Sequence, residues 1–132
     1  MASYMLDTDM ASYLIRGDHP QVTETFRTHF GRICISSITA AELLYGAEKR
    51  NSLSLKQKVN AFNNLVPIID WTKEAASAYA HLRTELTTAG TPIGSMDMLI
   101  AASAIAEKAI LVTNNTAHFS RISRLCIENW LA

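Results

Sequence analysis

The stretch GTPIGSMDMLIAASAIAEKAILVTNN, residues 90–115, decides the fold class of this chain. Its middle part, SMDMLIAASAIAEK (95–108), is a long run of mainly small and apolar residues, which is typical of a buried helix. The run AILVTNN (109–115) follows without a break and is typical of a short buried strand that ends in polar residues. One carboxylate, Asp97, interrupts the apolar helix and is the only charged residue between positions 86 and 106. A buried helix that leads directly into a buried strand predicts a βαβ unit.

The same alternation of short apolar runs and longer helical runs continues toward the start of the chain. It predicts an α/β fold with a parallel sheet of four to five strands. Functional residues in such sheets lie at the carboxyl ends of the strands, near a topological switch point. The other predicted strands are SYMLDT (3–8), ICISS (33–37), VPIID (66–70) and CIENW (126–130), and the other predicted helices are DMASYLIRG (9–17), HPQVTETFRTHFG (19–31), SITAAELLYGAEKR (37–50), SLKQKVNAFNNL (54–65) and WTKEAASAYAHLRTELTTAG (71–90).

Composition limits what the chain can do. Its 132 residues are 48% apolar and 18% charged with no net charge, which suits one domain, residues 1–132, whose sheet is covered on both faces. Because no broad basic field exists, a nucleic-acid function needs a local basic patch or a partner subunit. The start, MASYMLDTDM (1–10), lacks the features of a signal peptide, so we expect a cytoplasmic protein. Cys34 and Cys126 lie in short apolar runs, which predicts buried, reduced thiols.

Three acidic residues occupy positions where apolar surroundings make a charge costly. Asp7 ends the first predicted strand, Glu42 lies in the helical run ITAAELLYGA, and Asp97 lies in the apolar helix. A buried carboxylate costs several kcal/mol unless it is compensated, and no basic residue lies near any of the three in sequence. A divalent cation that prefers oxygen ligands, Mg²⁺ or Mn²⁺, would compensate all three at once. Such an ion lowers the pKa of a bound water and stabilises charge on a phosphoryl oxygen, which is nuclease chemistry.

Each of these acids also has a purely structural interpretation. Asp7 or Asp9 would cap the helix that follows the first strand. Ser95 is a candidate N-cap, which puts Asp97 in a first helical turn, where a negative charge gains about 0.3–1 kcal/mol from the helix dipole. Glu42 is equally compatible with a partly exposed helix position. The residues alone leave both interpretations open.

The strand at the end of the opening stretch finishes in three polar residues, Thr113, Asn114 and Asn115. They would arrive at the same sheet edge as the acids, although two asparagines after a strand are also an ordinary turn. Asn115 can hold a metal-bound water or orient a carboxylate, but it supplies no charge. We expect Thr8, Thr113 and Asn114 to support the site.

The chain resembles PIN-domain endoribonucleases of the VapC toxin type in segments that span nearly its whole length. These segments are YMLDT, ISSITAAELLYGAEK, GTPIGSMDMLIAASAIAEKAILVTNN and HFSRI. The resemblance implies a three-layer α/β/α fold, RNA cleavage that depends on Mg²⁺ or Mn²⁺, and neutralisation by a cognate VapB antitoxin. It also implies that Asp7, Glu42 and Asp97 are the principal catalytic and metal-binding acids.

Two positions depart from the family pattern, and both departures remove negative charge. Many PIN domains have an acid where this chain has Asn115, and close relatives often have Glu where it has His118. Asn115 therefore takes a catalytic position without its charge, which puts a second metal ion in doubt. Asp9 stands where the family often has Asn. It either restores charge near the pocket or, as we expect, caps the first helix.

The resemblance also suggests a substrate and an assembly. Toxins with the LVTNN ending resemble cutters of initiator tRNA at the anticodon loop, so a structured tRNA is the expected substrate. A two-fold homodimer and a toxin–antitoxin hetero-oligomer are the expected assemblies. Candidates for an exposed apolar patch are Phe62, Leu65, Tyr79 and Leu82. Candidate phosphate contacts, each otherwise an ordinary solvated charge, are Arg16, Lys49, Arg50, Arg121 and Arg124.

Three other functions fit part of the sequence. LDTD resembles the motif of haloacid-dehalogenase-like phosphatases, with Asp7 as nucleophile and Asp9 as acid/base, but the required Lys and later acidic pair are missing. A response-regulator receiver domain fits the length and Asp70, but it needs an acidic pair after the first strand and a Lys after the last. A non-catalytic PIN-like interaction module fits the missing fourth acid, although three acids at matching places argue against it.

Overall fold

A parallel sheet of five strands forms the centre of the computed structural model, which describes residues 3–132. The strand order is β3-β2-β1-β4-β5, and every neighbouring pair is parallel. This confirms the predicted α/β class at the upper end of the predicted strand number. The strands are β1 (Tyr4–Leu6), β2 (Ile33–Ser36), β3 (Ile68–Ile69), β4 (Ile110–Val112) and β5 (Ile127–Glu128).

Except for the short helix Thr116–Phe119, which the sequence did not predict, the helices follow the predicted segments, because many of their ends carry recognisable capping residues. Gly17 and Gly90 end two of them in the left-handed conformation, with φ of 71° and 70°. Pro20 begins another at its first position, where its missing N–H costs nothing. The helices are α1 (Thr8–Arg16), α2 (Pro20–Thr28), α3 (Ser37–Arg50), α4 (Leu53–Leu65), α5 (Lys73–Ala89), α6 (Ser95–Ala106) and α7 (Thr116–Phe119).

Two apolar cores cover the two faces of the sheet, which confirms the three-layer α/β/α arrangement. Side chains alternate along each strand. Met5 of β1 and Leu111 of β4 therefore point into the core that α5, α6 and α7 cover. Leu6 and Val112, one residue further along, point into the core that α1, α2, α3 and α4 cover.

The position of β1 creates the switch point of this fold. The chain moves outward from β1 to β2 and β3, and then returns to place β4 on the other side of β1. A crevice therefore opens where the carboxyl ends of β1 and β4 lie side by side. A receiver domain has the strand order 2-1-3-4-5, so the observed order excludes that interpretation.

Several sequence predictions about burial and capping are wrong. Cys34 is buried as expected, but Cys126 is exposed, because it lies just before the short edge strand β5. Ser95 does not cap α6; Gly94 is the N-cap, without a side-chain hydrogen bond. Phe62 and Leu82 belong to the cores and cannot join an exposed patch.

None of the helices between residues 3 and 132 combines the length and the apolar character needed to cross a membrane.

Candidate active site

Asp7 lies at the carboxyl end of β1, inside the crevice. It is 4% exposed, and its backbone N–H donates to the carbonyl of Val112 at 3.0 Å, which ties the end of β1 to the end of β4. Its Oδ1 accepts from the backbone N–H of Met10 at 2.9 Å, so Asp7 is the N-cap of α1. Burial raises the pKa of Asp7 to about 6, against the opposing hydrogen bonds from Thr113 and Met10. The capping interpretation is confirmed for Asp7, and it coexists with a strongly perturbed carboxyl.

Glu42 reaches the same crevice from α3. The hydroxyl of Thr8, the first residue of α1, donates to Glu42 Oε1, and it also lies 3.4 Å from the hydroxyl of Thr39. Thr39 is fully buried on α3. These contacts connect the start of α1 with the middle of α3 and hold one carboxylate oxygen of Glu42 in place. Thr8 therefore supports the site by orienting Glu42.

Asp97 enters from the first turn of α6, and its position answers why an apolar helix contains one acid. Most of the rest of α6 is buried between the sheet and α5, but this first turn is more open and leaves Asp97 half-buried. The pKa of Asp97 is raised by burial first, then by the charges of Glu42 and Asp9, while His118 opposes the rise. Asp97 is thus electrostatically coupled to side chains from α1, α3 and α7.

Asp9 belongs to this group as well. It lies in the first turn of α1 and is exposed, and its charge raises the pKa of both Asp7 and Asp97. The expectation that Asp9 caps α1 is wrong, because Asp7 takes that position. The charge of Asp9 does act on the neighbouring acids, and its alternative role at the pocket stays a prediction. We call Asp7, Asp9, Glu42 and Asp97 the acid site.

The acid site has the donor chemistry of a magnesium or manganese centre. In residues 3–132, none of its four carboxylates forms a salt bridge. Across this described part of the chain, no three acidic, histidine or cysteine side chains are grouped closely enough to enclose an ion. Mg²⁺ keeps several waters and is commonly held by one or two carboxylates plus substrate phosphates. An open, oxygen-only site therefore fits that ion better than a closed cage.

The segment after β4 closes the crevice on its second side. Thr113 is fully buried, hydrogen-bonds Asp7, and accepts at its Oγ1 from the backbone N–H of Asn115 at 2.9 Å. Asn114 turns the other way, since its Oδ1 accepts from Asn129 at 3.1 Å beyond β5. The amide Nδ2 of Asn115 lies 2.9 Å from Nδ1 of His118 on α7. Thr113 supports the site directly, whereas Asn114 only joins two strand ends.

The basic residues proposed for RNA binding are not equally placed. Arg16 and Arg50 line a cavity of about 160 Å³ that also touches Thr8 and Glu42. Arg16 is partly occupied, because it pairs with Asp18 at 3.1 Å. Three others stand apart from this cavity: Lys49 is exposed on α3, Arg121 follows α7 on the surface, and Arg124 lines a separate cavity beside α5.

Two participants were missed by reasoning from the sequence. Thr39 is a fully buried polar residue in ISSITAAELLYGAEK, and its polarity in an apolar run was the available signal. His118 was noted only as a departure from a pattern. Its coupling to Asp97 and its contact with Asn115 depend on how α7 folds back, which no local pattern reports.

Comparison with known proteins identifies the family. The PIN domain model matches residues 4–125. The tRNA(fMet)-specific endonuclease VapC of Shigella flexneri is 37% identical over 131 residues, covering 98% of this chain and 99% of that protein. Ribonuclease VapC2 of Rickettsia felis is 43% identical over 131 residues, covering 96% and 97%. The crystal structure of DNA-bound VapBC from Salmonella typhimurium superposes with a TM-score of 0.90 at 38% identity, covering 98% and 99%. This chain belongs to the PIN-domain family and, within it, to the VapC proteins.

Proposed function

We propose that this chain, as a single PIN domain over residues 1–132, is the toxin of a type II toxin–antitoxin pair and a metal-dependent endoribonuclease. The observation that carries the proposal is the acid site: carboxylates from β1–α1, α3 and α6 raise one another's pKa, and within residues 3–132 none of the four has a salt-bridge partner. Such crowding is unfavourable unless a cation relieves it. Membership of the VapC proteins, whose relatives are named as ribonucleases, supports the same function.

Asp7, Glu42 and Asp97 would hold Mg²⁺ or Mn²⁺ in this site. When bound, the ion supplies positive charge that lowers the pKa of water and stabilises a phosphoryl oxygen. Thr8 fixes the orientation of Glu42, and Thr113 holds Asp7 by a hydrogen bond. Asn115 would hold a water molecule beside the acids, because its amide can accept and donate but carries no charge. The elements of the fold thus preset the oxygen atoms before substrate arrives.

The substrate we propose is a structured tRNA, with initiator tRNA at its anticodon loop as the specific choice. The Shigella flexneri relative is named as specific for tRNA(fMet), which supports this choice. Arg50 is well situated to contact a backbone phosphate, because it is exposed and lines the cavity that touches Glu42. Arg16 lines the same cavity but is partly neutralised by Asp18, and Lys49, Arg121 and Arg124 would add weaker, screened attraction from further away.

Incubation of the purified protein with total RNA and Mg²⁺, followed by mapping of new 5′ ends, tests this function. We expect new ends concentrated at one position of one tRNA, and none after addition of EDTA or with the Asp97→Asn variant. The same ends at the parent level in Asp97→Asn would overturn the role of the acid site in cleavage. If the folded parent leaves all RNA intact, the proposed endoribonuclease activity is wrong and a non-catalytic interaction module is favoured.

The partner we propose is a VapB-type antitoxin that neutralises the acid site with a basic side chain. Arg is suited to this, since it pairs with carboxylates bidentately and stays charged. The adjoining cavity is lined on its apolar side by Ile15, Leu43, Leu55 and Val59, which would accept an apolar side chain of the same partner. The Salmonella typhimurium structure is of a VapBC complex, which supports the pairing.

Expression in cells tests the partner separately from the enzyme. The chain alone should arrest growth, and co-expression of the antitoxin encoded beside it should restore growth. Asp97→Asn is the control, because it should be harmless with or without the antitoxin. Harmless expression of the active parent would count against a toxin.

We also propose a two-fold homodimer, which uses the exposed face of α3. Ala41, Leu44 and Tyr45 lie on this face, and Leu44 and Tyr45 are 48% and 66% exposed. Ile68 of the edge strand β3 is exposed as well, and α3 contacts this strand. Light scattering at tens of micromolar should give a dimer for the parent and a monomer for Tyr45→Glu. A monomeric parent would remove the dimer.

A further inference from the structure

The contact between Asn115 and His118 determines which nitrogen of the imidazole carries the proton. Asn115 Nδ2 lies 2.9 Å from His118 Nδ1, and an amide NH₂ group can only donate. Nδ1 must therefore accept, and the neutral ring carries its hydrogen on Nε2. The side chain of Asn115 thus leaves Nε2–H as the free donor of His118.

The pair is held firmly from both sides. The backbone N–H of Asn115 donates to Thr113 Oγ1 at 2.9 Å, and Thr113 itself is fully buried beside Asp7. On the other side, the backbone N–H of Phe119 donates to the carbonyl of Asn115 at 3.2 Å, and the Phe119 side chain is fully buried in the core. His118 is therefore fixed between an anchored asparagine and an anchored phenylalanine.

The fixed imidazole lies close to the acid site. His118 lies near enough to Asp97 to lower the pKa of that carboxyl, against burial, Glu42 and Asp9, which all raise it. His118 is half-buried, and within residues 3–132 its Nε2 makes no hydrogen bond. The other described side chains whose charges act on Asp97 are the acids Glu42 and Asp9. The Nε2–H group of His118 is thus held near the acids and has no acceptor among the described residues. It is suited to donate to an anionic group of a bound ligand.

We propose that His118 donates a hydrogen bond from Nε2 to a phosphate oxygen of the bound RNA, and that Asn115 is the positioning residue that selects the required tautomer. The inference rests on the proposed ribonuclease function. It gives the acid site a group that attracts a phosphate, which the carboxylates by themselves would repel. The two residues that depart from the acidic family pattern therefore act together as one unit.

Two isosteric variants separate this role from a structural one. In His118→Gln the amide nitrogen stands near the position of Nε2, so the donor is kept and the contact with Asn115 is lost. In His118→Asn the amide oxygen stands near Nδ1, so the contact is kept and the donor is lost. His81→Asn is the matched control, because His81 is exposed on α5. Thermal denaturation should give similar midpoints for all three.

We expect His118→Asn to lose roughly tenfold to a hundredfold in kcat/KM on the RNA substrate, mainly through KM. His118→Gln should stay within about threefold of the parent, and His81→Asn should equal it. The opposite order, with His118→Gln impaired and His118→Asn normal, would show that His118 only braces Asn115 and would overturn the proposal.

A second measurement needs neither metal nor cleavage. Long-range proton–nitrogen NMR of the metal-free parent, at a pH where the ring is neutral, should find the His118 proton on Nε2. In Asn115→Ala the two tautomers should mix. A proton on Nδ1 of the parent would overturn the proposal. Failure of the parent to cleave any RNA would instead overturn the ribonuclease function, so the two failures are distinguishable.

Discussion

The two ends of the parallel sheet differ in how their side chains interact: packed aromatic rings lie at the amino end of β1, and crowded carboxylates lie at its carboxyl end. At the amino end of β1, the Tyr4 ring lies 4.5 Å from His29, and His29 stacks on Trp130 at 5.7 Å between ring centroids. Arg32 lies over the Tyr4 ring at 5.5 Å and donates to the Ser3 hydroxyl at 3.1 Å. These aromatic rings and Arg32 each have a partner among the described residues. We call these residues the aromatic end.

At the carboxyl end, the acid site contains charges that oppose one another. Asp7 has no cationic partner among the described residues, and the raised pKa of Asp7 and of Asp97 expresses the cost of ionising them. Packing at the aromatic end stabilises the fold, whereas the crowded carboxylates of the acid site destabilise it, which is the expected cost of the proposed cation and phosphate site. The difference teaches that favourable packing at the aromatic end compensates the unfavourable crowding of carboxylates at the acid site.

The largest effect should follow from removing one charge at the acid site. We expect Asp97→Asn to lower RNA cleavage by about a thousandfold, because positioning a cation contributes several kcal/mol to the transition state. The unfolding free energy should stay equal or rise, since like charges are separated. Glu24→Gln, on the exposed surface of α2, is the control and should change neither quantity. Cleavage by Asp97→Asn at the parent rate would show that the acid site is not needed for RNA cleavage.

The aromatic end should respond in the opposite way. Trp130 is 5% exposed, so Trp130→Ala should cost about 3–5 kcal/mol of unfolding free energy. Trp130→Phe should cost less, because a ring remains beside Tyr4 and His29. Urea denaturation measures the loss, and cleavage per folded molecule should be unchanged. A fall in cleavage at full folding would mean that the two ends are coupled.

Asp7→Asn tests whether the acid site opposes folding. The pKa of Asp7 rises from an ordinary 3.8 to about 6 in the folded protein, so the folded state binds this proton more tightly than the unfolded state. The stabilisation is complete below pH 3.8 and is lost as the pH rises through about 6. At pH 8 the ionised carboxyl costs about 3 kcal/mol. Asn stays neutral and still caps α1.

Urea denaturation in EDTA at pH 4 and pH 8 checks this prediction. Asp7→Asn should be more stable than the parent at pH 8 and nearly equal to it at pH 4. Asp9→Asn, an exposed change on the same helix, should give a much smaller difference. Equal stability of Asp7→Asn and the parent at both pH values would show that Asp7 carries no stored cost.

Much of this fold could be predicted from the sequence. Apolar runs at strand length and glycines at helix ends are local signals, so all five strands and the ends of α1 and α5 were found. The family resemblance was confirmed, and it excludes the phosphatase interpretation of Asp7 and Asp9. The roles of Asp7, Glu42 and Asp97 stay predictions, supported by their meeting in one crevice.

The sequence predictions that were wrong or incomplete concern side chains whose surroundings depend on residues distant in sequence. Cys126 lies in an apolar run yet is exposed, because β5 is a short edge strand. Phe62 and Leu82 looked available for a dimer, but helix packing buries them. The link between Asn115 and His118 arises from the fold of α7 against the end of β4. Local patterns predict elements well, and they predict the environment of a single side chain poorly.

The smallest expected effect concerns the position where the family's fourth acid is missing. Asp7, Glu42 and Asp97, without the more exposed Asp9, balance one divalent ion with one negative charge to spare, whereas a second ion would leave these three ligands with an excess of positive charge. We therefore expect the RNA-free protein to bind one Mn²⁺ weakly, since a hydrated ion gives up its waters reluctantly.

Asn115→Asp should raise that affinity about tenfold, because a carboxylate about 5 Å from a divalent ion contributes roughly 1–2 kcal/mol even at the dielectric constant of water. Calorimetry on both forms measures the change, with Asn114→Asp as the control because its side chain faces Asn129. An equal gain for both variants would mean only a general charge effect, and no gain for Asn115→Asp would show that Asn115 does not face the acids. The rate need not follow the affinity, because tighter binding of the ion before reaction does not by itself stabilise the transition state.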